Sequence, residues 1–163
     1  MKLEEKAVEL LTEKKLKIAL AESCTGGLLA KKITDVDGAS KVFECGVVCY
    51  SDRVKRHLVG VRSETLERFT AVSVKTAKEM ADGIRQRASA DIGIGITGYA
   101  SPVEGLSDDE KVIIVAVSDM TGTSVESFRP NLTGQEGARL LNRERAAELA
   151  LQMVIEKIEG NKI

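Results

Sequence analysis

The sequence has no tryptophan, two tyrosines and three phenylalanines, so its core must be aliphatic. It has a single histidine, His57. A histidine-based triad would have to use it, and its neighbours Arg53, Lys55 and Arg56 favour an exposed side chain. The three cysteines, Cys24, Cys45 and Cys49, are odd in number and contain no Cys-x-x-Cys pair. That argues against a disulfide framework or a zinc site. Cys45 and Cys49 lie four apart in a strand-like run and read as small buried hydrophobes. Charge of one sign is also missing. The 24 Lys and Arg residues are interspersed with 25 Asp and Glu, for a net charge of −1, which leaves no electrostatic footprint for nucleic acid. The short basic cluster "DRVKRHL" at 52–58 reads as a solvated face. No apolar run approaches the ~18 residues of a membrane span. The N-terminal "MKLEEKAVELL" lacks the apolar core of a signal peptide. The expectation is a cytoplasmic protein with neither membrane nor nucleic acid as partner.

What is present suits a globular chain: 163 residues, 43 % hydrophobic and 30 % charged, enough for one domain with an unstapled core. Residues 3–15 carry a helical apolar stripe, Leu3, Ala7, Leu10 and Leu11, with Lys14, Lys15 and Lys17 placed to complement the helix dipole. Residues 16–22 read as a buried strand, and a helix follows from Gly26 to about Asp35. Residues 42–50 are strand-like. Short helices are predicted over 51–59 and 63–69, then a longer one capped by Ser73 and running to about residue 88. In "ADIGIGITG" (90–98), Ile92, Ile94 and Ile96 share one face. Gly93 and Gly95 on the other would admit a second backbone or a ligand. A loop over 99–110, a buried strand "KVIIVAVSD", a turn, an exposed strand "SVESFRP" and a helix from Gly134 to about Glu159 complete the chain. Helices alternating with strands early and a hairpin late predict a single three-layer α/β/α domain with a mixed sheet, spanning 1–163.

The chemistry gathers in "ALAESCTGG" (19–27), where a buried strand ends in possible nucleophiles just as a helix begins. In open α/β sheets ligands sit beyond the carboxyl ends of strands. A strand-to-helix turn offers backbone N–H groups, so Ser23–Gly27 could hold an anion or stabilise an oxyanion beside a nucleophilic serine. The stretch is neither a Walker A motif nor G-x-S-x-G, and a serine here also suits a plain helix cap.

Three ordered motifs sharpen this. They are Ala21–Gly27 (A-E-S-C-T-G-G), Thr34–Ser40 (T-D-V-D-G-A-S) and Tyr50–Lys55 (Y-S-D-R-V-K), followed by "AVS" at 71–73 and "ADIGIGITG" at 90–98. The chain resembles the C-terminal domain of the CinA (competence/damage-inducible) family, whose members include nicotinamide-nucleotide amidases. It looks like a stand-alone member. The resemblance implies hydrolysis of the carboxamide of nicotinamide mononucleotide, a small-molecule nucleotide substrate, with no cofactor or metal and with two copies paired as a homodimer. It implies Ser23 as nucleophile and Lys55 as base, with Tyr50 and Thr97 orienting the lysine or donating to the oxyanion. Thr25, Gly26, Gly27 and Gly98 would bind substrate. A lysine base must be neutral, so burial or nearby positive charge has to lower its pKa, and Arg53 and Arg56 are candidates for that charge. Cys24 is the rival nucleophile. An amidohydrolase with another substrate and a non-catalytic nucleotide-binding paralogue are the other readings. The loop after Gly98 departs from the family pattern I-A-G-P-x-G-G, because Ser101 replaces a glycine and Val103 and Glu104 replace small residues. Glu104, Asp108, Asp109 and Glu110 place up to four negative charges in that loop. Each that faces the substrate phosphate would cost on the order of 1 kcal/mol, the alternative being that they point into water.

Overall fold

A computed structural model describes residues 1–160; 161–163, the tail of the expected 1–163 domain, lie outside the described residues. The elements are α1 (Leu3–Lys14), β1 (Ile18–Glu22), α2 (Leu28–Thr34), a 3-10 turn (Ala39–Lys41), β2 (Phe43–Val48), α3 (Asp52–Val59), α4 (Ser63–Phe69), α5 (Val74–Arg87), β3 (Ile92–Gly98), β4 (Ile113–Asp119), β5 (Gly122–Phe128) and α6 (Ala138–Glu159). The five strands form one sheet in the order β2-β1-β3-β4-β5. β2, β1 and β3 run parallel, whereas β4 and β5 are antiparallel additions. The sheet is mixed and carries helices on both faces, as the alternation of elements predicts.

The two faces are built differently. Ile18 and Leu20 of β1, the three isoleucines of β3 and Ile113, Val115 and Val117 of β4 pack under α1, α2 and α6. The other face carries Ala19, Ala21, Gly93, Gly95 and Ala116, and α5 lies on it. These small residues bring the helix close. A Cβ on Gly93 would stand 2.2 Å from the Ala81 carbonyl oxygen, and one on Gly95 would stand 2.4 Å from that of Ala77. What the strand glycines admit is therefore a helix backbone and not a ligand. Gly83 likewise lets α5 touch α3, with 1.7 Å between its would-be Cβ and the Val59 oxygen.

The helix ends follow local chemistry. Ser51 caps α3 by accepting from the Val54 N–H, and Ser73 caps α5 through the N–H of Thr76. α6 starts at Ala138 and not at Gly134. Gly137, at φ +81°, holds a left-handed conformation that an L side chain rarely adopts, so the chain turns into the helix only after it. β2 stops at Val48, which leaves Cys49 and Tyr50 to cross toward α3. Cys49 is buried and Cys45 half-buried, and all three cysteines are free thiols.

Candidate active site

The carboxyl ends of β1 and β3 meet at the one place where the chain, having laid β2 on one side of β1, returns to lay β3 on the other. Ligand crevices in open α/β sheets form at such reversals. Strand alternation then sorts the side chains after β1. Ile18, Leu20 and Glu22 face α2, while Ala19, Ala21 and Ser23 face the layer that holds α3.

Ser23 meets Lys55 there. The lysine Nζ lies 3.1 Å from Ser23 Oγ, 3.1 Å from the Cys49 carbonyl oxygen and 3.1 Å from that of Tyr50. Lys55 is 1 % exposed although Arg53, Arg56 and His57 beside it are solvated. Burial drives its pKa below the ordinary 10.5, against the opposing pull of Cys49, Asp52 and Cys24. Arg53 and Arg56 take no part in that shift, contrary to expectation. Their side chains lie two and one positions away on a helix, around the axis from Lys55 and in water.

As placed, Nζ donates to all three oxygens. Once deprotonated, the amine would keep two N–H bonds for the carbonyls and turn its lone pair to the Ser23 hydroxyl, which would then donate to it. The burial that lowers the lysine pKa raises that of the neighbouring cysteine. The Cys24 thiol is pushed up to about 11, mainly by desolvation, so it is protonated at neutral pH and a poor nucleophile.

Tyr50 contributes its carbonyl to Lys55, while its ring is 59 % exposed at the rim of the cavity. The Thr97 hydroxyl donates to the Ala71 carbonyl at 2.7 Å, so it fixes the 70–73 loop and does not orient the lysine. Thr70 begins that loop at φ +68°, ψ 173°, a region that costs a non-glycine residue of order 1–3 kcal/mol. Its carbonyl is held by the hydroxyls of Ser73 and Thr76.

A cavity of about 250 Å³ opens over the pair, lined among others by Ser23, Cys24, Lys55, Thr97, Gly98 and Arg139. Gly98 is required there by packing, since its Cβ would stand 2.6 Å from Ile113 Cα. Thr25, Gly26 and Gly27 do not line the cavity. Of the five amides expected to hold an anion, three are already taken, Ser23 by the Ile96 carbonyl, Gly26 by that of Ser23 and Gly27 by Glu22. The Glu22 carboxylate accepts the N–H of Gly27 and of Leu29 at 3.1 Å and of Ala30 at 2.8 Å. The N–H groups of Cys24 and Thr25 have no acceptor among the described residues.

Arg139, which no sequence signal had marked, stands at the mouth. Its guanidinium donates to Ser101 Oγ at 2.6 Å and to the Tyr50 hydroxyl at 3.2 Å. No carboxylate pairs with it among the described residues. Of the two placements open to them, the loop acids take the one away from the cavity. Asp108 pairs with Lys111, Asp109 with Arg129, and Glu110 accepts from Ser107 N–H and Oγ, while Ser101 and Val103 are the loop side chains that reach the lining. Among the described residues no group of three or more His, Cys, Asp or Glu side chains could hold a metal ion.

Comparison with known proteins places this arrangement. Residues 1–158 match the CinA C-terminal domain family. The chain belongs to the CinA family. A relative in Thermoanaerobacter sp. (strain X514), named for competence-damage induction, is 47 % identical over 161 residues, covering 99 % of this chain and 38 % of the relative. A CinA-like protein of Chlorobium limicola is 43 % identical over 152 residues, 92 % of this chain and 35 % of its own length. The chain thus spans little more than a third of these CinA relatives. Among solved structures, the CinA superfamily protein of Klebsiella pneumoniae 700603 superimposes with a TM-score of 0.86 at 31 % identity, covering 97 % of this chain and 96 % of that one. The competence/damage inducible protein of Agrobacterium tumefaciens gives 0.85 at 34 %, covering 96 % and 95 %. The same α/β architecture therefore recurs across the family. No helix among the described residues is long and apolar enough to cross a membrane.

Proposed function

We propose that this CinA domain hydrolyses the carboxamide of nicotinamide mononucleotide to nicotinate mononucleotide and ammonia, through a Ser23–Lys55 dyad. The observation that carries the reading is the buried Lys55 amine, 3.1 Å from Ser23 Oγ and held on its other two sides by carbonyls. A serine hydroxyl needs such a base to attack at neutral pH. Ser23 Oγ adds to the carboxamide carbon while its proton passes to Lys55 Nζ. The tetrahedral oxyanion forms beside the Cys24 N–H, the amide next to the nucleophile, which is unengaged among the described residues. Collapse breaks the C–N bond, and the Lys55 proton leaves with the nitrogen as ammonia. Water then attacks the Ser23 ester, again giving its proton to Lys55. Cleavage of the ester returns that proton to Ser23 and releases the carboxylate product.

The shape of the site supports a nucleotide. The cavity falls below the ~300–1,000 Å³ of sites that enclose a drug-sized ligand, so only the pyridine end is enclosed. The phosphate is left at the mouth, where Arg139 presents a cation without a carboxylate partner. With Asp108, Asp109 and Glu110 engaged elsewhere and Glu104 exposed outside the cavity lining, phosphate repulsion by the 99–111 loop is not expected. The test is steady-state release of ammonia and nicotinate mononucleotide from nicotinamide mononucleotide, compared with nicotinamide riboside and nicotinamide. Turnover of the nucleotide with a raised KM for the riboside is expected. No ammonia from any of the three would overturn the reading.

A further inference from the structure

We infer that Glu22 is a positioning residue that sets the nucleophile in place from behind, an inference that rests on the Ser23–Lys55 reading. Glu22 is 1 % exposed at the end of β1 and, by strand alternation, points away from the cavity toward α2. Its carboxylate spans the start of that helix. One oxygen takes the N–H groups of Gly27 and Leu29, and the other takes that of Ala30. Its main chain holds the other half of the dyad. The Glu22 carbonyl accepts the Cys49 N–H at 2.8 Å, and the Cys49 carbonyl in turn accepts from Lys55 Nζ.

One residue therefore ties the turn that carries Ser23 to the crossing segment that seats Lys55. Three consequences follow from the chemistry of a buried carboxylate. The turn 23–27 is closed from both ends, by Ser23 N–H donating to Ile96 and by the α2 amides donating to Glu22. The N-terminal end of α2 already faces a negative group, so a substrate anion is not drawn there and is left to Arg139. Because the carboxylate engages only Gly27, Leu29 and Ala30, it leaves the N–H groups of Cys24 and Thr25, the two residues after the nucleophile, without a backbone acceptor among the described residues.

A glutamine cannot replace this group. Its amide oxygen can accept from one side, but its NH2 then faces an N–H donor 2.8–3.1 Å away, and the turn must shift to relieve the conflict. Displacing a reacting atom by about an ångström costs on the order of a hundredfold in rate.

The experiment compares Glu22→Gln, Ala30→Pro and, as a destabilised control, Val8→Ala, a buried core residue of α1 that neither lines the cavity nor bonds to the Ser23–Lys55 pair. Ala30 is the third residue of α2, where a proline ring is tolerated while the N–H that Glu22 accepts is removed. The expected result for Glu22→Gln is a fall in kcat of tenfold or more, KM within threefold, and an unmoved rising limb of the pH–rate profile, because the carboxylate does not touch Lys55. Ala30→Pro is expected to lower kcat by a smaller factor in the same way, and it decides the matter if Glu22→Gln does not fold. Equal kcat losses in Val8→Ala and the two site variants, or unchanged kcat in a folded Glu22 or Ala30 variant, would overturn the inference. If Ser23→Ala is inactive while Glu22→Gln and Ala30→Pro are fully active, only the positioning role fails. If Ser23→Ala is itself active, the dyad fails with it.

Discussion

Lys55 combines an electrostatic liability with a chemical use. A buried ammonium is costly, and the chain accommodates it by making the neutral amine easier to reach. The sign of the pH effect follows. The native pKa is depressed, so between that value and the ordinary 10.5 the unfolded chain holds a proton that the native chain lacks. Stability attributable to Lys55 therefore rises with pH across that window and is lost as pH falls through the native pKa. Urea unfolding of the wild type and of Lys55→Met at several pH values is expected to show this slope in the first and its loss in the second. The Met variant is also expected to lose amidase activity by at least about 10³-fold, and wild-type activity is expected to rise with pH as Lys55 deprotonates. Activity kept in Lys55→Met but lost in His57→Ala would contradict the assignment. The motif pointed to Lys55 itself, and of the two causes open for its lowered pKa, burial is the one found and the flanking arginines are not. Sequence neighbours at one and two positions on a helix do not share a face, so Arg53 and Arg56 were poor guides to its environment. Arg139 was invisible because it meets Tyr50 across 89 positions of sequence, and nothing local marks such a contact.

The elements that carry the site were the most legible. The isoleucine–glycine alternation of β3 has a strict period of two and could only be a strand with one bulky and one bare face. What the pattern did not disclose was the occupant of the bare face, which a helix backbone fills. Gly95→Ala tests that packing. With the Ala77 oxygen 2.4 Å from the added carbon, α5 must move, and overpacking of this kind costs roughly 1–3 kcal/mol. A drop in melting temperature of about 2–12 °C is expected for a chain of this size. Because β3 ends in Thr97 and Gly98 at the cavity, kcat should fall as well. A melting temperature unchanged within a degree would show that α5 is not in contact as described. The loop over 99–112 was the least legible element. Its acids follow no period, so sequence alone could not tell that they turn to Lys111, Arg129 and solvent and not toward the cavity.

At the scale of the whole molecule, the order of strands places the chemistry. β1 lies between β2 and β3, and the segments leaving β1 and β2 supply Ser23 and the carbonyls of Cys49 and Tyr50 at a single point. The α5 layer packs against small residues and the α6 layer against bulky ones, which sets α3 with Lys55 on one side of the turn and Glu22 with α2 on the other. The mixed sheet and its two helical layers could be read from the spacing of elements. The meeting of Ser23 with Lys55, 32 positions apart, could be read only from the family motifs. Everything functional rests on which side chain at the end of β1 attacks the substrate. The direct measurement is ammonia release from nicotinamide mononucleotide by Ser23→Ala and Cys24→Ala, each confirmed folded by its melting curve. The Ser23–Lys55 account predicts that Ser23→Ala falls by at least about 10³-fold while Cys24→Ala stays within tenfold of the wild type. Near wild-type turnover in Ser23→Ala together with its loss in Cys24→Ala would contradict it.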